Sequence, residues 1–203
     1  MDKTMRLLLV AACLLSLAAS AQSLAPERAE AVVVATFAHA PAAWKARVTQ
    51  DETQALCSTT RNSPNAEQAA KISAAAQASI VLPADGKLLG DWRRGEAIAQ
   101  NGRGGQFSDK PSTVSGGNCY ACHQMAPGEI SYGTLGPSLT GYGKLHDFTP
   151  AAARAAYVKI FNPHAALACS AMPRFGANKV LSEAQIKDVV GFLFDPASPV
   201  NLP

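Results

Sequence analysis

Apolar and polar positions along the chain fall into blocks of different character. Residues 7–17 are apolar apart from Ser16, with Lys3 and Arg6 before them and Ala19-Ser20-Ala21 after them. A basic start, a short apolar run and a small-x-small end form the pattern of an export signal cut after about Ala21. The run is well short of the roughly 20 residues that a bilayer span needs. A lipoprotein-like pattern, Val10-Ala11-Ala12-Cys13, overlaps it, but only a very short apolar stretch precedes that cysteine. Further on, the spacing turns helical. Over residues 91–101, Trp92, Gly95, Ile98 and Ala99 share one face behind Asp91, a good N-cap. Thr149-Pro150 sets a cap and a first-turn proline ahead of a helix that runs to Phe161, where Asn162-Pro163 stops it. Ser182-x-x-Gln185 is a capping box, and Ile186, Val189, Val190, Leu193 and Phe194 follow at helical spacing until Asp195-Pro196. Ser63-Pro64 reads as the cap of one more helix reaching about Ile80. No alternating strand pattern stands out over residues 91–203, so the expected fold class is all-α.

Composition narrows this picture. The chain has 203 residues, of which 16% are charged, below the usual share of about 25%; that leaves apolar material for one core. A net charge of +3 and the lack of a basic run argue against a nucleic-acid surface. Of the five cysteines, Cys13 would leave with the signal, and Cys57, Cys119, Cys122 and Cys169 would meet an oxidising compartment. There thiols pair or carry a cofactor.

Cys119-Tyr120-Ala121-Cys122-His123 is C-x-x-C-H. Two thiols at this spacing can add across the two vinyl groups of haem, and the adjacent histidine then sits beneath the iron. A zinc site would need a second ligand pair, and Cys57 and Cys169 stand far apart in sequence. A thioredoxin-like dithiol would need a strand–helix setting, whereas Ser115-Gly116-Gly117-Asn118 precedes this motif. For the second axial position, Met1 and Met5 are lost with the signal and Met125 is tied to the His123 side. Met172, 49 residues beyond His123, is the first candidate and His164 the second. His39 and His146 have no motif around them. The remaining cysteines, Cys57 and Cys169, are expected to form a disulfide; two buried thiols, or a reactive Cys169 beside Arg174, are the competing readings.

Residues 91–195 resemble a class I cytochrome c domain. The resemblance implies that Gly95 packs its helix against an aromatic of the last helix, Phe192 or Phe194. In Gly136-Pro137-Ser138-Leu139-Thr140-Gly141 it implies that the Pro137 carbonyl accepts a hydrogen bond from His123 and orients the ring. The block Gln50-Asp51-Glu52-Thr53-Gln54-Ala55-Leu56-Cys57-Ser58, the segment that follows it, and Cys169-Ser170-Ala171-Met172-Pro173-Arg174-Phe175-Gly176 are similar to the SoxX family, the monohaem subunits of SoxAX cytochromes. This likeness covers about residues 45–195.

Behind the signal peptide at 1–21, which places the chain in the periplasm, it implies an N-terminal, partly helical extension at 22–90 and a cytochrome c domain at 91–203. It implies one covalently bound haem c, with iron held by His123 and Met172. It also implies a SoxA-like cytochrome partner bearing the catalytic cysteine, a SoxYZ-like carrier met transiently, and a small cytochrome c as electron acceptor. The enzyme, an L-cysteine S-thiosulfotransferase, would be the heterodimer, and this chain would supply no catalytic residue. A free diffusible class I cytochrome c and an open-site ligand-binding haem protein are the other readings. Asn118, Tyr120, Ala171 and Arg174 are expected to flank the exposed haem edge. Residues 22–44 carry no functional reading.

Overall fold

A computed structural model describes residues 26–106, 108–110 and 112–202. The expected export signal and Cys13 lie outside the described residues. The chain divides into two compact units, Met1–Gln50 and Asp51–Pro203. In the first, α1 (Pro26–Thr36) and α2 (Ala42–Val48) are short helices that the sequence reading did not find. The second holds α3 (Glu52–Thr59), α4 (Ala66–Ala78), α5 (Trp92–Gln100), α6 (Tyr142–Leu145), α7 (Pro150–Phe161) and α8 (Glu183–Phe194). No strand occurs among the described residues, and the fold is all-α. Residues 51–90 of the expected extension thus belong to the same compact unit as the helices that follow.

Caps set the helix starts. Asp91, Thr149 and Ser182 each accept a backbone N–H of the first turn, as their positions predict. The cap of α4 is Asn65, two residues beyond the expected Ser63: its side chain accepts from Gln68 N–H, and the Gln68 side chain returns to Asn65 N–H. That reciprocal pair satisfies two orphan groups at once, which Ser63, with Ala66 three residues on, cannot match. α3 has the same device in Asp51 and Gln54.

α8 is the central helix, with Ile186, Val189, Val190, Phe192, Leu193 and Phe194 all buried. α5 crosses it at Gly95. A Cβ there would lie 2.0 Å from the Asp188 carbonyl oxygen and 2.8 Å from Phe192 Cβ, so only glycine permits this approach. The aromatic partner of Gly95 is therefore Phe192, while Phe194 meets Tyr142 of α6 edge-on at 5.5 Å. The Asp188 carboxylate is buried beside this crossing and fully engaged: Arg94 donates to it through Nε (2.8 Å) and Nη2 (2.9 Å), and Asp91 N–H adds a third bond.

Residues 51–81 run against residues 157–174 in opposite order. Tyr157 Oη donates to the Val81 carbonyl (3.1 Å), Asn162 Nδ2 to Ser79 Oγ (3.0 Å), and Gln77 Nε2 to the Ala165 carbonyl (3.1 Å). Cys57 and Cys169 are joined in a disulfide with Cα atoms 5.4 Å apart, packed with Ile72, Leu56 and Ala168 in a small cluster of their own. Arg174 Nη2 lies 2.6 Å from Asp51 Oδ2. These ties form an antiparallel brace along one stretch of the downstream chain. The disulfide spans 112 residues of sequence, and closing a loop of that length is worth up to about 4–5 kcal/mol. Cys57→Ser with Cys169→Ser should lower the denaturation free energy of the haem-bearing protein by up to that amount. In the parent, alkylation of the denatured chain should add nothing before reduction and two groups after it; two additions without reduction would exclude the bond.

Candidate haem site

The C-x-x-C-H motif is folded into one tight turn. Asn118 takes a left-handed backbone (φ 46°) and leads into the 3-10 turn Cys119–Ala121. Cys122 N–H and His123 N–H both donate to the Cys119 carbonyl, at 3.1 and 2.9 Å. α5 positions the turn: Gly117 N–H donates to the Ile98 carbonyl (2.9 Å) and Asn118 N–H to the Asn101 carbonyl (3.0 Å). Gln185 of the α8 capping box also reaches the segment, donating through Nε2 to the Ser115 carbonyl (2.7 Å).

Both motif thiols are free and half-buried. Burial pushes the Cys119 thiol up to about 12, so it is protonated at neutral pH, in surroundings that favour an uncharged sulfur. His123 Nδ1 lies 2.7 Å from the Pro137 carbonyl oxygen. A carbonyl only accepts, so Nδ1 carries the hydrogen and Nε2 keeps its lone pair for a metal. The ring rests directly on Gly136, where a Cβ would come within 2.2 Å of His123 Cε1. The loop that brings Gly136 and Pro137 there is laced to the motif by Gly133 N–H to the Tyr120 carbonyl, Gly136 N–H to the Cys122 carbonyl and Leu139 N–H to the Gln124 carbonyl, each 2.8 Å.

The two methionines of the second unit have different surroundings. Met125 is fully buried in the main core. Met172 is half-buried and packs against that same core, as do Cys119, Leu139 and Phe161. His164 is buried in the 3-10 turn Pro163–Ala165, and its Nδ1 has no hydrogen-bond partner. His39 and His146 are exposed, and His146 lies 4.5 Å from the Tyr142 ring between centroids.

Two expected rim residues are placed otherwise. Tyr120 is buried, its hydroxyl accepting from Ala126 N–H (3.1 Å). Arg174 is mostly covered by its pairing with Asp51. Asn118 and Ala171 are exposed. Gly136 was not singled out beforehand as the seat of the His123 ring; its place directly before Pro137 in the loop was the available signal. A cleft of about 540 Å³ is lined in part by Val81, Val114, Phe161, Leu181 and Ile186, and neither His123 nor Met172 lines it.

The donor set fits covalently attached haem. It offers two neighbouring thiols, a histidine whose tautomer leaves Nε2 free, and a thioether on the same core as Cys119. Haem iron so held supplies one-electron oxidation and reduction.

An all-α domain built around such a site is a c-type cytochrome. Residues 93–194 match the cytochrome c family. The chain is also similar to an uncharacterized lipoprotein of Aquifex aeolicus (strain VF5), 38% identical over 159 residues that cover 77% of this chain and 75% of the relative. The chain belongs to the cytochrome c family, and with it come covalently bound haem c, iron and an electron-transfer function. No helix among the described residues is long and apolar enough to cross a membrane.

Burial holds His164 below the ordinary histidine range, and the nearby Arg174 charge adds to this; Asp51 and the Ser170 backbone offset part of it. The unfolded chain takes up this proton near the ordinary value of 6.5, the folded chain only at lower pH. Between the two, the unfolded state binds more protons, so stability falls as pH falls through that window. His164→Leu should flatten the pH dependence of the denaturation midpoint below about pH 6.5; an unchanged slope would show that His164 is as easily protonated folded as unfolded.

Proposed function

We propose that this chain is the electron-exit subunit of a periplasmic SoxAX-type complex, with one haem c attached through Cys119 and Cys122. In this reading His123 and Met172 are the axial iron ligands, and the Pro137 carbonyl orients the His123 ring. With both axial positions filled by the protein, no position is left for a substrate, so the site serves electron transfer and not bond chemistry. A methionine ligand also favours the ferrous state and makes the site a good electron acceptor. In the complex, thiosulfate and a cysteine thiol of the SoxYZ-like carrier form a new S–S bond, releasing one proton and two electrons. The catalytic cysteine of that step belongs to the SoxA-like partner. This chain takes the electrons one at a time and hands them to a small cytochrome c.

The observation that carries the reading is the brace over residues 51–81, which lies outside the matched family span of 93–194. A diffusible carrier needs only the haem domain, and a dedicated segment tied along it suits a subunit with a fixed partner. The name of the Aquifex relative favours a second reading of export, lipid attachment at Cys13 in place of cleavage after Ala21. The mass of the mature chain from its host separates the two.

Ferric protein should show the weak near-infrared band of methionine–iron coordination, and Met172→Ala should remove it and lower the potential. Copurification from the native host should bring a SoxA-like subunit with the parent. Recovery of the chain alone would favour the free-standing cytochrome. Retention of the band in Met172→Ala would reassign the ligand.

A further inference from the structure

Met172 lies between two anchors on one short helix. Cys169, three residues before it, is bonded to Cys57 on α3. Arg174, two residues after it, is paired with Asp51, the N-cap of α3. Between the anchors the backbone has little support of its own. Ser170 N–H reaches the Leu167 carbonyl at 3.2 Å, and Met172 N–H reaches Ser170 Oγ at 3.3 Å. Cys169 itself takes a left-handed backbone (φ 57°), a conformation costly for a residue with a Cβ. The place of Met172 is therefore set by its packing on the main core and by these two ends.

The Asp51–Arg174 pair is built for this. Asp51 is fixed by its capping box: Oδ1 accepts from Gln54 N–H (2.8 Å), Asp51 N–H donates to Gln54 Oε1 (2.9 Å), and Oδ2 is left for Arg174. The Arg174 side chain is only 16% exposed, and that of Asp51 47%. Desolvation pushes the Asp51 carboxyl up, but the Gln54 N–H and Arg174 outweigh it and hold the carboxyl below the usual carboxylate range. The next residue gives the contrast. Glu52 pairs with Lys71 of α4 at 2.6 Å, with side chains 83% and 71% exposed, the kind of surface pair that contributes little. That pair does not touch the Met172 segment.

We propose that Asp51 and Arg174 are positioning residues for the axial methionine: their ion pair pins the far end of the Met172 segment as the disulfide pins the near end, and so governs how readily Met172 gives way to an external ligand. Neither residue touches iron; both act through the backbone that carries Met172. The proposal rests on Met172 being an iron ligand, and it adds two residues that lie 123 apart in sequence, one of them outside the matched family span.

The test is imidazole titration of the ferric, haem-bearing protein, read with the near-infrared methionine band. Asp51→Asn removes the charge and keeps a good N-cap, so the helix start is preserved. Asp51→Asn and Arg174→Gln should each raise imidazole affinity by about tenfold, and the double variant should go no further, because the two residues act as one pair. Arg174→Lys, which keeps the charge, should fall between parent and Arg174→Gln. Glu52→Gln should match the parent. If Arg174→Gln does not assemble, Asp51→Asn decides alone. Affinity within about twofold of the parent in Asp51→Asn, with the band intact, would overturn the pairing and leave the residues a role in stability only. A parent without the methionine band would instead overturn the ligand reading on which the proposal rests.

Discussion

The crossing of α5 and α8 at Gly95 is the contact on which the other parts of the second unit depend. It can form only because the Asp188 carbonyl and the Phe192 side chain meet a residue without a Cβ. Once α5 is seated, its C-terminal carbonyls at Ile98 and Asn101 receive the backbone of Gly117 and Asn118, and the left-handed Asn118 turns the chain into the cysteine motif. From α8, Gln185 reaches back to Ser115 and Phe194 meets Tyr142. The buried Asp188 carboxylate adds direction: it is acceptable there because Arg94 and the Asp91 N–H satisfy it, and removal of Arg94 would leave it buried without its charged partner.

The histidine and the methionine are held by different means. His123 is fixed locally. Its own turn, the Pro137 carbonyl and the flat seat on Gly136 all lie within residues 119–137. Met172 packs on the main core, and its segment is tied in addition to a helix more than a hundred positions upstream in the chain. His123 is thus held mainly by short-range hydrogen bonds, and the Met172 segment partly by long-range ties.

That division matches what could be read in advance. Caps and periodicity placed α5, α7 and α8 because the deciding groups, Asp91, Thr149 and Ser182, sit within a turn of the helices they start. The cysteine count foresaw the disulfide, and the cytochrome c resemblance placed Gly95 and Pro137. The cap of α4 was set two residues early because Ser63-Pro64 carries a familiar signal, while the reciprocal Asn65–Gln68 pair decides. α3 carried a legible capping box in Asp51 and Gln54 and was still read only as part of a block. Tyr120 was taken for a rim residue because it adjoins the first cysteine of the motif, where the haem edge is expected to be exposed; here its ring is in the core. The pairs Asp51–Arg174 and Gln77–Ala165 left no local trace, since each joins residues 88 or more apart.

The disulfide encloses the haem motif: Cys119 and Cys122 lie inside the loop that Cys57 and Cys169 close. The four cysteines among the described residues can pair in three ways as two bridges, and haem attachment requires two of them to stay reduced while the other two are oxidised. Chain order makes the conflict sharper, because Cys57 is the first of these four and would meet Cys119 before Cys169 had emerged. Maturation of this protein is thus a problem of timing as much as of stability. The thiols of the motif must be kept from the first cysteine until the last one arrives, and a bond made too early would trap a chain that can neither take up its cofactor nor close its brace.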